Sequence, residues 1–379
     1  SSDVCSSDLA SLRTLAGGKP LMGTSVQTQF DKIYTPEEIQ ILKTQFDSVT
    51  PENCMKWQFL CPKEGEYRFE PVDRLVDFAT KNQQRVVGHT LIFNRDGNYP
   101  VWLFRDGEKE ADAKLVWKRI EDHMAKLMSR YAGRIDSWDV LNEFVEVPSP
   151  GYRVTDLTRV LGADYPERLF KIAAGIDPKA KLTYNDFSVE KPDRLKAILA
   201  FVRSLRDKGC KVDVVGSQSH LELGDKAAGN LNNMIKQFAA DGFRCALTEL
   251  DVDVIPRSQH WNPKTREEAG KQDPYAAGCP DGVLERQASV YREVMEAVMA
   301  DLVAGGDHGL DLVALVRRDE VQRPFAAQRH HIDADGDEWI EVHAADLDVF
   351  HAALAQRVQR PLARIDDPLG PDRAVELVL

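Results

Sequence analysis

The sequence predicts a (β/α)8 TIM barrel, α/β in class, from three observations. Seven short β-type runs recur between residues 20 and 300, amphipathic helical stretches fill the gaps, and carboxylates gather at the carboxyl ends of several runs. In order, the runs are Leu21–Val26, Phe46–Thr50, Arg85–Phe93, Ile135–Leu141, Lys181–Asn185, Val212–Gln218 and Arg244–Leu250. Of the helices between them, one is expected from Ala113 to Tyr131, with Val116, Ile120, Leu127 and Tyr131 on one face. Another is expected from Val283 to Val298, where Tyr291, Val294 and Val298 keep the same period. Regular alternation of this kind argues for a parallel sheet, and the 379 residues leave room for an eighth unit after residue 300. A doubly wound open sheet is the alternative, but no glycine-rich fingerprint follows the first run. Without repeats or low-complexity linkers, residues 10–300 read as one domain.

Composition narrows the function. Hydrophobic residues make up 43% of the chain and charged residues 29%, as in a globular protein with a sizeable core. No apolar stretch reaches the roughly 18 residues that a spanning helix needs. Acidic residues outnumber basic ones 61 to 49, for a net charge of −12. That field repels phosphate backbones, so neither nucleic acid nor membrane is an expected partner, and a neutral ligand suits it better. The six cysteines form no CxxC pair and no cluster at metal spacing. Most read as buried thiols, with a Cys54–Cys61 pair left open.

Both ends depart from this pattern. Residues 1–9 have neither an apolar core nor a basic start, so they do not read as a signal peptide. They are expected to be a non-native leader resembling a translated sequencing adapter. From Asp301 to Leu379 there is no Lys, Ser, Thr, Asn, Tyr, Cys or Met, while five of the nine histidines fall there. Two readings stand, a biased helical region and a frame slip in GC-rich DNA, and the second is preferred for residues 301–379.

Chemistry is concentrated at three run ends: Thr50-Pro-Glu-Asn-Cys-Met-Lys-Trp57, Ser137-Trp-Asp-Val-Leu-Asn-Glu143 and Ala246-Leu-Thr-Glu-Leu-Asp251. Glycoside hydrolysis needs two carboxylates on opposite sides of a sugar, one a proton donor and one held ionised. Glu143 and Glu249 lie three strand–helix units apart and so face each other across a barrel mouth. Alone, such a pair also reads as helix caps or structural ion pairs.

The wider motifs resemble the family-ten glycoside hydrolases, which are endo-β-1,4-xylanases on a (β/α)8 barrel. The resemblance covers about residues 20–300. It rests on Glu52-Asn53-x-x-Lys56-Trp57, Gly88-His89-Thr90-Leu91, Trp138-Asp139-Val140-Leu141-Asn142-Glu143, Gln218-Ser219-His220 and Thr248-Glu249-Leu250-Asp251. It implies that Glu143 is the general acid/base and Glu249 the nucleophile of a retaining double displacement. In such a mechanism the two carboxyls stand about 5 to 5.5 Å apart. It further implies that Asn142 binds the sugar 2-hydroxyl and His220 the nucleophile, and that Glu52, Asn53, Lys56, His89 and Gln218 line the sugar sites. Asp251, two residues beyond Glu249, is expected on the same strand face, sharing a network with His220 and Glu249. No metal or organic cofactor is implied. The expected enzyme is a secreted or periplasmic monomer acting on xylan or xylo-oligosaccharides, since a polymer does not enter a cell.

Other readings stay open for single residues. Lys56 also reads as neutralising an acidic barrel mouth, and His89 as a satisfied core histidine. Trp57, Trp102 and Trp117 read as packing, and Tyr184-Asn185-Asp186 as a family strand end or the start of a turn. Two departures from the family matter. Phe93, Asn94, Arg95 and Asp96 replace a Trp-His pair with a nearby Gln, which leaves another β-1,4-glycan or an aryl glycoside open as substrate. The stretch from Gly305 to Ala314 stands where the family has a tryptophan-bearing eighth strand, leaving open a glycan-binding barrel without turnover. Shifted by one nucleotide, its Gly-Asp-His can read Val-Thr-Thr and its Leu-Val-Ala can read Ser-Trp-Arg.

Overall fold

The computed structural model describes residues 11–16, 20–148, 151–225, 227–256, 275, 279–303, 314–316, 331–332 and 338–339. Each of the seven expected runs yields a strand: β1 (Met22–Val26), β2 (Ser48–Pro51), β3 (Arg85–Gly88), β4 (Ser137–Asn142), β5 (Lys181–Asp186), β6 (Val214–Ser217) and β7 (Arg244–Leu247). An eighth, β8 (Ala314–Val316), pairs with β1 in the register Met22↔Ala314. Every ladder of this sheet is parallel, and the spatial order β7-β6-β5-β4-β3-β2-β1-β8 is that of a barrel, curled so that neighbours in space are neighbours in sequence. Among the described residues, the closing ladder between β7 and β8 is not formed.

The eighth place is taken by Ala314-Leu-Val316. Val316 belongs to the β-branched residue types that favour a strand. Residues 1–9, 305–313, 343–358 and most of 301–379 lie outside the described residues.

One expected run is divided. Arg85–Phe93 breaks into β3 and a two-residue strand, Ile92–Phe93, which also pairs with β4. Between them the Thr90 hydroxyl and the Leu91 N–H both donate to the Asp139 carbonyl, at 2.8 and 2.9 Å, which interrupts the ladder.

The helices bury the faces that their sequence period predicts. In Ala113–Arg130 the Asp112 side chain caps the first turn by accepting from the Leu115 N–H at 2.8 Å. Val116, Ile120, Met124 and Leu127 are fully buried, each contributing about 1.5–3 kcal/mol of apolar burial. Helix Asp281–Val303 buries Tyr291, Val294 and Val298 likewise. Trp138 on β4 lies fully buried against β3, and Gly88 is what admits it: a Cβ there would meet the indole at 2.2 Å.

The three tryptophans named from the sequence are packed. Trp57 stacks on His123 with ring centres 4.1 Å apart and meets Trp102 edge-on at 5.7 Å. Trp102 also donates to the Cys61 carbonyl, and Arg168 covers Trp117. Among the described residues Cys54, Cys61, Cys210, Cys245 and Cys279 are thiols, with no disulfide. No helix of the described residues is long and apolar enough to cross a membrane.

Candidate active site

Parallel strands place their carboxyl ends together, so residues just past β4, β5, β6 and β7 meet at one mouth. Glu143 follows the last residue of β4 and takes a left-handed backbone, φ 59°, uncommon for a residue with a Cβ. Ser219, beyond β6, does the same at φ 53°. Glu143 is held there by its N–H to the Asn185 carbonyl at 2.9 Å. Its carboxylate accepts from Arg153 Nη1 at 2.7 Å on Oε2 and from Gln218 Nε2 at 3.2 Å on Oε1.

Amide groups link it to the second carboxylate. Gln218 Nε2 also reaches Asn142 Oδ1 at 3.4 Å, and Asn185 Nδ2 donates to Asn142 Oδ1 at 3.0 Å and to Glu249 Oε1 at 3.1 Å. The orientation of Asn185 is set by Thr248, whose hydroxyl donates to Asn185 Oδ1 at 2.6 Å. Gly216 keeps this space open, because a Cβ there would lie 2.5 Å from Asn185 Oδ1.

The sequence expects Glu249 and Asp251 on one face of one strand. Instead β7 stops at Leu247, and a short strand Asp251–Asp253 starts afresh beside His220–Glu222, leaving Glu249 between the two. The turn of Thr248 toward Asn185 accompanies this break. His220 spans it, with Nδ1 2.7 Å from Asp251 Oδ2 and Nε2 3.4 Å from Glu249 Oε2.

Burial works against a charge on His220, but Asp251 and then Glu249 outweigh it and hold the pKa at about 9, above the usual 6.5. The ring is therefore an imidazolium at neutral pH. Since the folded value exceeds the unfolded one, the stability this contributes is complete below about pH 6.5. It is lost as pH rises through about 9, at most about 3 kcal/mol. Thermal melts from pH 6 to 10 should show the melting temperature falling across that window and a flatter profile in His220→Gln. An unchanged slope in the variant would assign it to other groups.

The remaining residues singled out from the sequence divide into two sets. Glu52 and His89 line a cavity that also includes Glu249 and descends through the barrel to Asp136 and Lys181 at the amino ends of β4 and β5. His89 Nδ1 is 2.8 Å from Asp139 Oδ2, and burial pushes the Asp139 carboxyl up despite that partner. Asn53 and Lys56 bond to each other after β2, Nζ to Oδ1 at 2.9 Å, and neither lines that cavity.

Three participants were not proposed from the sequence. Arg153, on Glu143, carries no local signal. Asn185 and Tyr184 stood in a motif that also read as a turn. The Tyr184 hydroxyl accepts from the Phe144 and Val145 N–H groups at 3.2 and 2.9 Å and donates to Asp186. Asp186 in turn accepts from Arg194 at 2.6 Å. This buried group fixes the chain directly after Glu143. The Asp96 carboxylate, a departure flagged in the sequence, accepts from Tyr99 and from the Asp156 N–H at 2.9 Å, so it braces neighbouring loops.

Two carboxylates sharing one mouth, one beside a guanidinium and one beside an imidazolium, form an arrangement suited to paired acid/base and nucleophilic work. Comparison with known proteins agrees in kind. A family profile described as "Glycosyl hydrolase family 10" matches residues 11–304. "Endo-1,4-beta-xylanase A" of Xylanibacter ruminicola is 33% identical over 255 residues, 67% of this chain and 67% of the relative. A protein of the same name from a Caldicellulosiruptor species is 34% identical over 238 residues, which span 60% of this chain but only 34% of that longer relative. Among solved structures, a GH10 endoxylanase retrieved from sugarcane soil metagenome aligns with a TM-score of 0.76 at 25% identity, over 92% of this chain and 99% of the other.

Proposed function

This chain belongs to glycosyl hydrolase family 10 and is a glycoside hydrolase, and on that premise we propose that it cleaves internal β-1,4-xylosidic bonds of xylan with retention of configuration. The observation that carries the reading is the amide-linked pair Glu143 and Glu249, set at the carboxyl ends of two strands of one barrel. The Glu249 carboxylate attacks the anomeric carbon as Glu143 gives its proton to the departing glycosidic oxygen. The glycosyl ester on Glu249 is then opened by water, whose proton returns to Glu143. Asn142 takes the sugar 2-hydroxyl, His220 and Asp251 support Glu249, and Glu52, Asn53, Lys56, His89 and Gln218 provide donors and acceptors for neighbouring sugars. Residues 10–300 form the catalytic unit. A polymeric substrate places the enzyme outside the cytoplasm, in the periplasm or beyond.

The test is reducing-sugar release from xylan by the purified chain, with the first anomer from a xylo-oligosaccharide followed by proton NMR. Release with the β-anomer appearing first is expected. An α-anomer first would overturn retention, and a folded chain that releases nothing would overturn the activity.

A further inference from the structure

Glu143 is covered at both carboxylate oxygens, Oε1 by Gln218 and Oε2 by Arg153. In that state each oxygen already accepts a hydrogen bond, and the charged bond from Arg153 competes with a proton on Oε2. Of the two covering groups, Gln218 is tied into the chain of amides through Asn142. Arg153 has a second anionic partner: its Nε lies 3.5 Å from Glu146 Oε2, whose side chain is 38% exposed against 10% for Glu143.

The geometry fixes the backbone of Arg153 while leaving its head group a choice. Glu146 and Arg153 sit on an antiparallel ribbon, with pairs Val145↔Tyr152 and Glu146↔Gly151. The Arg153 N–H donates to the Phe144 carbonyl at 2.7 Å, and its own carbonyl accepts from Asn94 at 3.4 Å. The guanidinium lies 5.5 Å from the centre of the Phe187 ring, a flat surface over which a planar group turns at little cost. The other charges facing it are Asp186, Arg194 and, across the amides, Glu249. Asp186 is committed to Arg194 and Tyr184, which leaves Glu143 and Glu146 to share Arg153. Burial disfavours the charge of Arg153, but Glu143 first and Glu146 next more than offset it.

We propose that Arg153 is a positioning residue for Glu143, holding Oε2 at rest and uncovering it for proton transfer by turning onto Glu146. The inference rests on the acid/base role proposed above for Glu143. When the guanidinium leaves, Oε2 takes a proton from solvent. That proton passes to the glycosidic oxygen as its bond to the anomeric carbon breaks and the bond to Glu249 forms. The water that opens the ester restores it.

The discriminating readout is the leaving group. A 2,4-dinitrophenolate departs without a proton, whereas a sugar alkoxide needs one. We would compare kcat/KM, which reports the first bond cleavage, for xylotetraose and for 2,4-dinitrophenyl β-xylobioside, using Arg153→Gln, Arg153→Lys and Glu146→Ala, with Glu143→Ala as reference. Arg153→Gln uncovers Oε2 but no longer holds the carboxylate in place, so kcat/KM on xylotetraose should fall by about 10²-fold, the lower end of what general acid catalysis supplies. The aryl substrate should stay within about threefold. Arg153→Lys should recover part of the loss, and Glu146→Ala should also act on xylotetraose alone. Equal losses on both substrates, or no effect of Glu146→Ala on either, would overturn the proposal. Where circular dichroism shows Arg153→Gln unfolded, Glu146→Ala decides the matter by itself. Full xylotetraose activity in Glu143→Ala would instead remove the acid assignment beneath it.

Discussion

Glu249→Ala should lower kcat on xylan by about 10⁴–10⁶-fold, the scale on which loss of a covalent nucleophile acts, while the chain stays folded. Asn185 holds one oxygen of Glu249, His220 lies beside the other, and neither contact builds the core. Without the carboxylate no glycosyl ester forms, and the remaining machinery has only water to offer from the wrong side. Stability should change little, because losing the support that Glu249 gives the His220 imidazolium is offset by removing an acid from a mouth that also contains Glu52 and Asp139. Reducing-sugar assays beside thermal melts check both halves. Added azide sharpens the test: it fits the space left by the side chain and should yield the α-glycosyl azide by a single inversion. Retained activity with a lowered melting temperature would make Glu249 a structural residue.

What the sequence discloses follows from how locally each feature is encoded. The strands and helices are legible because their period sits within ten or so consecutive residues, and β4 emerges as Ser137–Asn142 within a residue or two of its expected bounds. The strand ends are legible for the same reason, which brings Glu143 and Glu249 to attention before any coordinates. Arg153 is not legible. It meets Glu143 because a ribbon folds back after β4, and nothing in the residues between declares that return. The division of Arg85–Phe93 was equally hidden, since it depends on Thr90 and Leu91 finding the Asp139 carbonyl on another strand. Asn185 shows an intermediate case. Its motif was visible, but an Asn-Asp pair suits a turn as well as a site, and only the contacts to Asn142, Glu249 and Thr248 separate the two.

Breaking the buried pair behind the site should have the largest effect on stability. Arg194, on helix Pro192–Asp207, donates to Asp186 Oδ1 at 2.6 Å and from Nε to the Phe187 carbonyl at 2.8 Å, and both side chains are buried. Arg194→Met should cost about 3–5 kcal/mol near pH 8, because it leaves Asp186 buried without its counter-ion and hydrogen-bond donor, so that the group must either stay charged or take up a proton. The pH dependence separates charge from packing. Burial pushes Asp186 up to about 7 even with Arg194 lowering it, so its folded value lies above the unfolded 3.8. The stability tied to that proton is therefore complete below about pH 4 and is lost as pH rises through 7. Removing Arg194 raises the folded value further, so the variant loses more at neutral and alkaline pH. At pH 5 Asp186 is protonated in the native state of both proteins, so the deficit should be smaller there by up to about 1.4 kcal/mol, the linkage between a folded value near 7 and pH 8. Urea unfolding at pH 5 and pH 8 measures this directly. A deficit equal at the two values would mean that Arg194 acts through its packing on Phe187, 4.0 Å below its guanidinium, and not through charge.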